Sequence, residues 1–329
     1  MGFCQVGFGA AVLPGVGFGR VGFVLGFAGP RIGPGPSTTP SAQVLALAWA
    51  AMGHRPLLLL TNDDGIDSVG LHVLARAMRR HGEVLIVAPD AEYSGAGAAL
   101  GALHLIRPEV HEVVIEGIDR AYSVSGPPAL CTLFAALGAF GRVPDLVVAG
   151  INPGANVGRA VYHSGTVGAA LTARGRFING LAVSQEVAEV AVDGQGAEAG
   201  LAGQLWDAAA AVADAVVEEL LRGGLPSDPV VVNLNVPNRA VAEMNGWQLS
   251  TVATQPPRTM ASARLEPKAG HDRAFHVEMS WGDPVAMPDH TDSGAIEAGK
   301  VSVSFLSRLD HVDLTPQHGV ELHLDGLFS

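Results

Sequence analysis

From residue 57 onward the chain is patterned as short, wholly apolar runs separated by polar loops and helical stripes. Residues 57–60, all leucine, stop abruptly at Thr61-Asn62-Asp63-Asp64-Gly65. A run without alternation reads as a strand buried on both faces of a parallel sheet. Val69, Leu71, Leu74, Ala75 and Met78 then recur at helical spacing. Arg79, Arg80 and His81 fall in the last turn and Gly82 just after, the stop signal expected at a helix C-terminus. Residues 84–88 form a second apolar run closed by Pro89-Asp90. Strand, helix and strand in this order make a β-α-β unit, which favours a parallel sheet with a right-handed crossover.

The alternation continues. After a Gly/Ala-rich loop at 94–102, residues 103–125 alternate loosely and predict shorter strands. Residues 129–137 read as helix, 145–150 as a buried strand, 165–174 as helix and 181–184 as strand. Leu201, Leu205, Ala208, Val212, Val216 and Leu220 are spaced for a long amphipathic helix ended by Gly223-Gly224. Residues 230–236 are β-rich and closed by Pro237; 245–300 turn polar, Pro-punctuated and irregular; 300–306 return as a strand. The expected fold is α/β, a doubly wound, Rossmann-like, mostly parallel sheet over residues 52–245, completed by an irregular C-terminal appendage at 246–329, a β-hairpin or swapped oligomerisation segment.

Residues 1–51 depart from this pattern. They contain no Asp or Glu, and their only charges are Arg20 and Arg31. Unevenly spaced Gly-Phe pairs (Gly2-Phe3, Gly7-Phe8, Gly17-Phe18, Gly22-Phe23, Gly26-Phe27) lead into Pro and Gly, which oppose both helix and strand. A secretory signal would want a basic start, although Ala46-Leu47-Ala48 could pass as a cleavage site. A membrane span would want about 18–20 uninterrupted apolar residues, and Pro14 and Pro30 interrupt any such run. The expectation is a disordered leader or an over-extended start, with the biological start at Met52.

Composition narrows the partners. With 329 residues, 48% hydrophobic and 16% charged, the chain is long and apolar enough for a full globular core. The formal net charge of −12, without a long Lys/Arg cluster, argues against a nucleic-acid polymer. A small anion remains possible where a metal ion supplies positive charge locally. Cys4 and Cys131 have neither metal-ligand spacing nor disulfide density, so a reducing cytoplasm is the natural compartment.

Three polar loops, each after a predicted parallel strand, would converge on one crevice. In Asn62-Asp63-Asp64-Gly65 two adjacent carboxylates repel on a tight turn, and a hard divalent cation relieves that repulsion. A plain polar turn has the same composition. Gly150-Ile151-Asn152-Pro153-Gly154-Ala155-Asn156 offers neutral amide oxygens and close backbone approach, or is an ordinary βα loop. Ser164-Gly165-Thr166-Val167-Gly168 opens a helix whose free N–H groups suit a phosphate, or is a simple serine cap. Tyr93-Ser94-Gly95-Ala96-Gly97 is half a dinucleotide fingerprint, but Leu100 stands where Gly or Ala is required, which weakens NAD binding. Without a Walker-type Gly-Lys-Ser/Thr, a P-loop NTPase is excluded.

Taken together, Leu60-Thr61-Asn62-Asp63-Asp64-Gly65-Ile66-Asp67, Val87-Ala88-Pro89 with Tyr93-Ser94-Gly95-Ala96-Gly97, and Pro144 through Asn152 resemble one family. Val161 through Ala170 and Asn233-Leu234-Asn235-Val236-Pro237 belong to the same set. The family is the SurE nucleotidases, the stationary-phase survival proteins. The resemblance is close over 55–185 and loose over 230–315. It implies a Rossmann-like core and a metal-dependent phosphomonoesterase acting on nucleoside monophosphates. By motif, one Mg²⁺ or Mn²⁺ would be held by Asp63, Asp64, Ser94 and Asn152, with the two aspartates central to catalysis. Ser164, Gly165 and Thr166, with Asn62 and Asn156 alongside, would bind the substrate phosphate. A C-terminal segment exchanged between subunits of a homodimer or homotetramer is implied as well.

Several supporting positions depart from the family pattern: Pro127 and Leu130 in Gly126-Pro127-Pro128-Ala129-Leu130-Cys131, Ala99, Gly101, Ala160, Thr172 and Gly294. Near the C-terminus Thr291-Asp292 is retained, while Ser302-Val303-Ser304-Phe305-Leu306 replaces the usual run. His163 and His290 are candidates for a general acid. Two alternatives therefore stand beside the nucleotidase: a phosphatase for a non-nucleotide ester, and a metal- and nucleotide-binding protein that has lost turnover.

Overall fold

The structure is a computed structural model and describes residues 55–307 except 102, 104, 106, 188–200, 202, 223–225, 227 and 256–257. Residues 1–51, read as a leader, and Gly223-Gly224, read as a helix stop, lie outside the described residues. Nine strands form one sheet: β1 (Leu57–Thr61), β2 (Glu83–Pro89), β3 (Val110–Glu112), β4 (Arg120–Val124), β5 (Leu146–Pro153), β6 (Asn179–Gln185), β7 (Val231–Val236), β8 (Trp247–Leu249) and β11 (Val301–Leu306). The strands β9 (Arg258–Pro267) and β10 (Phe275–Pro284) pair only with each other, as an antiparallel hairpin.

Sheet order is β3-β4-β2-β1-β5-β6-β7-β11-β8, with β4 through β7 parallel and β3 and β11 antiparallel to their inner neighbours. From β1 the chain builds outward through β2 and β4, then crosses back to β5 and builds the other way. The C-terminal ends of β1 and β5 are therefore the switch point where open α/β sheets leave a crevice.

Helices cover both faces, which explains the unbroken leucine run. Leu58 and Leu60 share an apolar layer with Leu71, Leu74 and Met78 of α1 (Val69–Met78) and Ala213 and Val217 of α4 (Trp206–Arg222). Leu57 and Leu59 face the opposite layer, with Leu130 and Cys131 of α2 (Pro128–Ala136) and Ala173 of α3 (Gly165–Gly175). All five β1 residues are buried, so neither face needs a polar alternate.

One expectation shifts. The stripe Ala208, Val212, Val216 and Leu220 is only half-buried; the buried side of α4 is Ala209, Ala210, Ala213 and Val217, and Leu201 and Leu205 precede the helix. Val212, Val216 and Leu220 instead line an apolar cavity of about 690 Å³ against Leu234, Trp247 and Val303. The 245–300 stretch holds the expected hairpin, together with β8 and the short helix α5 (Asp292–Glu297). Residues 262–280 of the hairpin are almost all exposed, so the period-two alternation of Phe275, Val277 and Met279 does not pack into the core.

Candidate active site

The turn after β1 is closed locally. Asn62 Nδ2 donates to the Gly65 carbonyl at 3.0 Å, and Gly65 takes φ +97°, a conformation glycine adopts without penalty. Asp63 is thereby buried and pointed at the N-terminus of α3, while its own carbonyl accepts from Tyr93 N–H at 2.7 Å. That last bond fixes the residue before Ser94, so the 93–97 loop is seated beside the aspartates; Ser94 itself is half-buried.

Helix α3 reaches Asp63 because Gly165 has no side chain. A Cβ there would lie 2.8 Å from Asp63 Oδ2, closer than van der Waals contact permits. Gly168 plays the same part toward the 93–97 loop, where a Cβ would meet the Gly97 carbonyl oxygen at 2.2 Å. Gly165 N–H donates to Asp63 Oδ2 at 3.1 Å and Thr166 Oγ1 donates to Asp63 Oδ1 at 2.5 Å. The donors read from sequence as phosphate-holding groups are thus directed at a carboxylate, which meets the helix N-terminus as another anion would. Ser164 caps its own helix, its Oγ accepting from Val167 N–H at 3.0 Å.

Asn152 closes the other side. Its Nδ2 donates to the Gly154 carbonyl at 2.7 Å, which turns Oδ1 toward Thr166 Oγ1, 3.4 Å away. Thr166 has one hydroxyl proton, and the shorter bond to Asp63 takes it, so Asn152 Oδ1 retains acceptor capacity. Asn156 is not part of this cluster. It is buried, its Nδ2 donates to Ser184 Oγ at 2.8 Å, and its backbone is clamped by Asn233 and Asn235. His163 and His290 are exposed, and their backbone carbonyls accept from Gly97 N–H and Thr251 N–H respectively.

Asn233, Asn235 and Asp292 are further residues of the site's frame to which sequence reasoning assigned no role. The signal was present: two asparagines alternating with apolar residues in a strand buried on both faces must find partners.

Electrostatics single out the aspartate pair. Burial pushes the Asp63 carboxyl above the usual range, opposed by the Thr166 and Gly165 hydrogen bonds. Asp64 is pushed well above it by burial, then by the charges of Asp63 and Glu92. Three buried side-chain oxygens in this turn, Thr61 Oγ1, Asn62 Oδ1 and Asp64 Oδ2, have no hydrogen-bond partner. Unpartnered buried carboxylate oxygens beside a second carboxylate are costly unless a proton or a cation joins them. Every donor here is oxygen, which suits a hard divalent ion. Among the described residues no group of three or more His, Cys, Asp or Glu could hold a metal ion, so such a site would depend on neutral oxygens as well.

Fold and crevice define a Rossmann-like α/β protein with a paired-carboxylate polar site at its topological switch point. The sequence model of the family described as Survival protein SurE matches residues 58–259, and the chain belongs to the SurE family. A 5'-nucleotidase SurE of Geobacter sulfurreducens is 33% identical over 259 residues, 78% of this chain and 88% of that protein. A 5'/3'-nucleotidase SurE of Erwinia tasmaniensis is 33% identical over 263 residues, covering 78% of this chain and 91% of the relative. The 5'-nucleotidase SurE of Methanopyrus kandleri is 49% identical over 130 residues, 40% of this chain and 49% of its own length. In structure the chain is similar to the crystallised SurE protein of Aquifex aeolicus, with TM-score 0.64, 27% identity, and coverage of 83% of this chain and 100% of that one.

Proposed function

We propose that this protein is a divalent-metal phosphomonoesterase that hydrolyses nucleoside monophosphates to nucleoside and phosphate. The observation that carries the reading is the buried, unpartnered Asp64 Oδ2 beside Asp63 at the switch point. Asp63, Asp64, Asn152 and Ser94 would hold one Mg²⁺ or Mn²⁺. When bound, the ion supplies Lewis-acid stabilisation of phosphoryl charge and an acidified water. The chain's own groups do the rest. Thr166 Oγ1 and Gly165 N–H fix the Asp63 carboxylate in one orientation. The Nδ2 bond to Gly154 aims the Asn152 amide oxygen. The N-terminal turn of α3, at Ser164, Gly165 and Thr166, acts on the substrate phosphate through the positive end of the 11-residue helix dipole, since the Gly165 N–H and Thr166 hydroxyl are already given to Asp63.

A homo-oligomer is the proposed assembly, supported by the exposed apolar side chains Leu265, Phe275, Val277 and Met279 on the hairpin. Cysteine usage supports a cytoplasmic location. Among the described residues no helix is long and apolar enough to cross a membrane.

The test is phosphate release by the full-length chain from nucleoside 5′- and 3′-monophosphates and sugar phosphates, with Mg²⁺, with Mn²⁺ and with EDTA. Metal-dependent release that favours nucleotides is expected. Release from sugar phosphates alone would keep the site and replace the substrate, and no release from any ester would overturn the enzymatic reading.

A further inference from the structure

Asp292 is fully buried, and its carboxylate accepts hydrogen bonds from three backbone N–H groups. Oδ2 accepts from Gly158 at 2.9 Å; Oδ1 accepts from Ala253 at 2.9 Å and from Ser293 at 2.8 Å. A buried carboxylate is tolerated only when its oxygens are satisfied, and charge-assisted bonds of this kind are the strong ones. These three donors come from different places. Gly158 ends the turn that follows β5, whose last residues are Asn152 and Pro153, Ala253 precedes β9, and Ser293 lies in α5, which follows β10.

The geometry around Asp292 closes the root of the hairpin. Thr251 bridges to Thr291, Thr251 N–H donates to the His290 carbonyl at 3.1 Å, and Asp292 N–H donates to the Thr251 carbonyl at 2.8 Å. The chain leaves this root into β9 and returns to it from β10. Gly158 sits directly against it: a Cβ there would lie 3.3 Å from the Ala253 carbonyl oxygen, and Gly158 already takes φ +53°. Other anchors of the 152–158 segment come from the sheet, through Gln185 to Gly154 and through Ser184, Asn233 and Asn235 to Asn156, and from α3, whose Thr166 Oγ1 stands 3.4 Å from Asn152 Oδ1. Asp292 tethers this segment from the hairpin side.

We propose that Asp292 is a positioning residue that couples the seating of the β9–β10 hairpin to the alignment of the turn after β5, at whose start Asn152 stands. This rests on reading the Asp63–Asn152 cluster as the phosphatase site. A displacement of the hairpin moves Ala253 and α5, and the shared carboxylate passes that movement to Gly158. Only a carboxylate serves all three donors; the asparagine amide has one acceptor oxygen and would turn an NH₂ toward an N–H.

Asp292→Asn in the full-length protein tests this. Hydrogen exchange at the Gly158 and Ala253 amides reads the tether without turnover and should quicken roughly tenfold or more. Turnover should fall about ten- to a hundredfold in kcat, with KM changed by less than about threefold, because misalignment is felt in the transition state. The midpoint of a Mn²⁺ binding titration should rise. Gly158→Ala, which crowds the same junction from the loop side, should repeat the pattern, and decides the matter if Asp292→Asn does not fold. Faster exchange with kcat and Mn²⁺ binding unchanged would make Asp292 a structural cap and overturn the proposal. Unchanged exchange would overturn the tether itself. Wild-type protein that neither releases phosphate nor binds Mn²⁺ would overturn the functional reading beneath it.

Discussion

The two ends of the same sheet obey different rules. At the C-terminal ends of β1 and β5, backbone and polar atoms meet at close range: Gly165 against Asp63, Gly168 against Gly97, Thr166 between Asp63 and Asn152. At the far edge, α4 faces β7, β11 and β8 across an apolar cavity lined by Val212, Leu220, Leu234 and Trp247. The first region depends on geometry, where a displaced oxygen changes chemistry. The second depends on buried area, which is additive and forgiving. Substitutions should therefore act on turnover in one region and on stability in the other.

The largest effect is expected at the centre of the first region. Asp64→Asn keeps the shape of the turn and removes the charge that a cation would meet. Several kcal/mol of transition-state stabilisation, about a thousandfold or more in kcat, should vanish while circular dichroism and melting stay near wild type. Metal-dependent turnover within about tenfold of wild type would erase the proposed contrast. Next comes a core residue behind the site. Leu74→Ala in α1 empties a fully buried position and should cost about 2–5 kcal/mol, read as a lowered denaturant midpoint, with kcat unchanged where the protein remains folded. Gly165→Ala then tests close approach alone. Its Cβ would displace Asp63 or α3, so kcat should drop roughly ten- to a hundredfold with little change in melting.

These expectations also mark which parts were legible in the sequence. The parallel core was, because strands buried on both faces must be unbroken apolar runs, and the polar loop after each run has nowhere to go but the crevice. Asp63, Asp64 and Asn152 stand out for that reason. The C-terminal part was legible only as an appendage bearing a hairpin, because residues 262–280 are almost all exposed, so the alternation of Phe275, Val277 and Met279 with His276, Glu278 and Ser280 marks a strand but no core face. The stripe on α4 was shifted because alanines at 209, 210 and 213 make the tight contact, while the larger Val212, Val216 and Leu220 face the cavity. Size predicts hydrophobic weight, but close helix packing selects small residues. Asp292 and the Asn233 and Asn235 pair escaped assignment for a different reason. Their roles are relational, and the partners, Gly158, Ala253 and Asn156, lie far away in the chain.

The smallest effect sharpens the comparison most. Leu74 and Leu220 belong to the same apolar layer, one as a fully buried member and the other packed at its margin beside the cavity. Leu220→Ala removes surface that is only half withdrawn from water, and the cavity beside it already lacks partner atoms. The transfer loss is then about half that of full burial, and little further packing can be lost. Roughly 1 kcal/mol is expected, without change in kcat, measured by urea unfolding beside Leu74→Ala at the same protein concentration. A cost equal to that of Leu74→Ala would mean that the α4 face is covered in solution. The far edge would then be a packed interior like the rest, and the division into a geometric region and a forgiving one would fail at that edge.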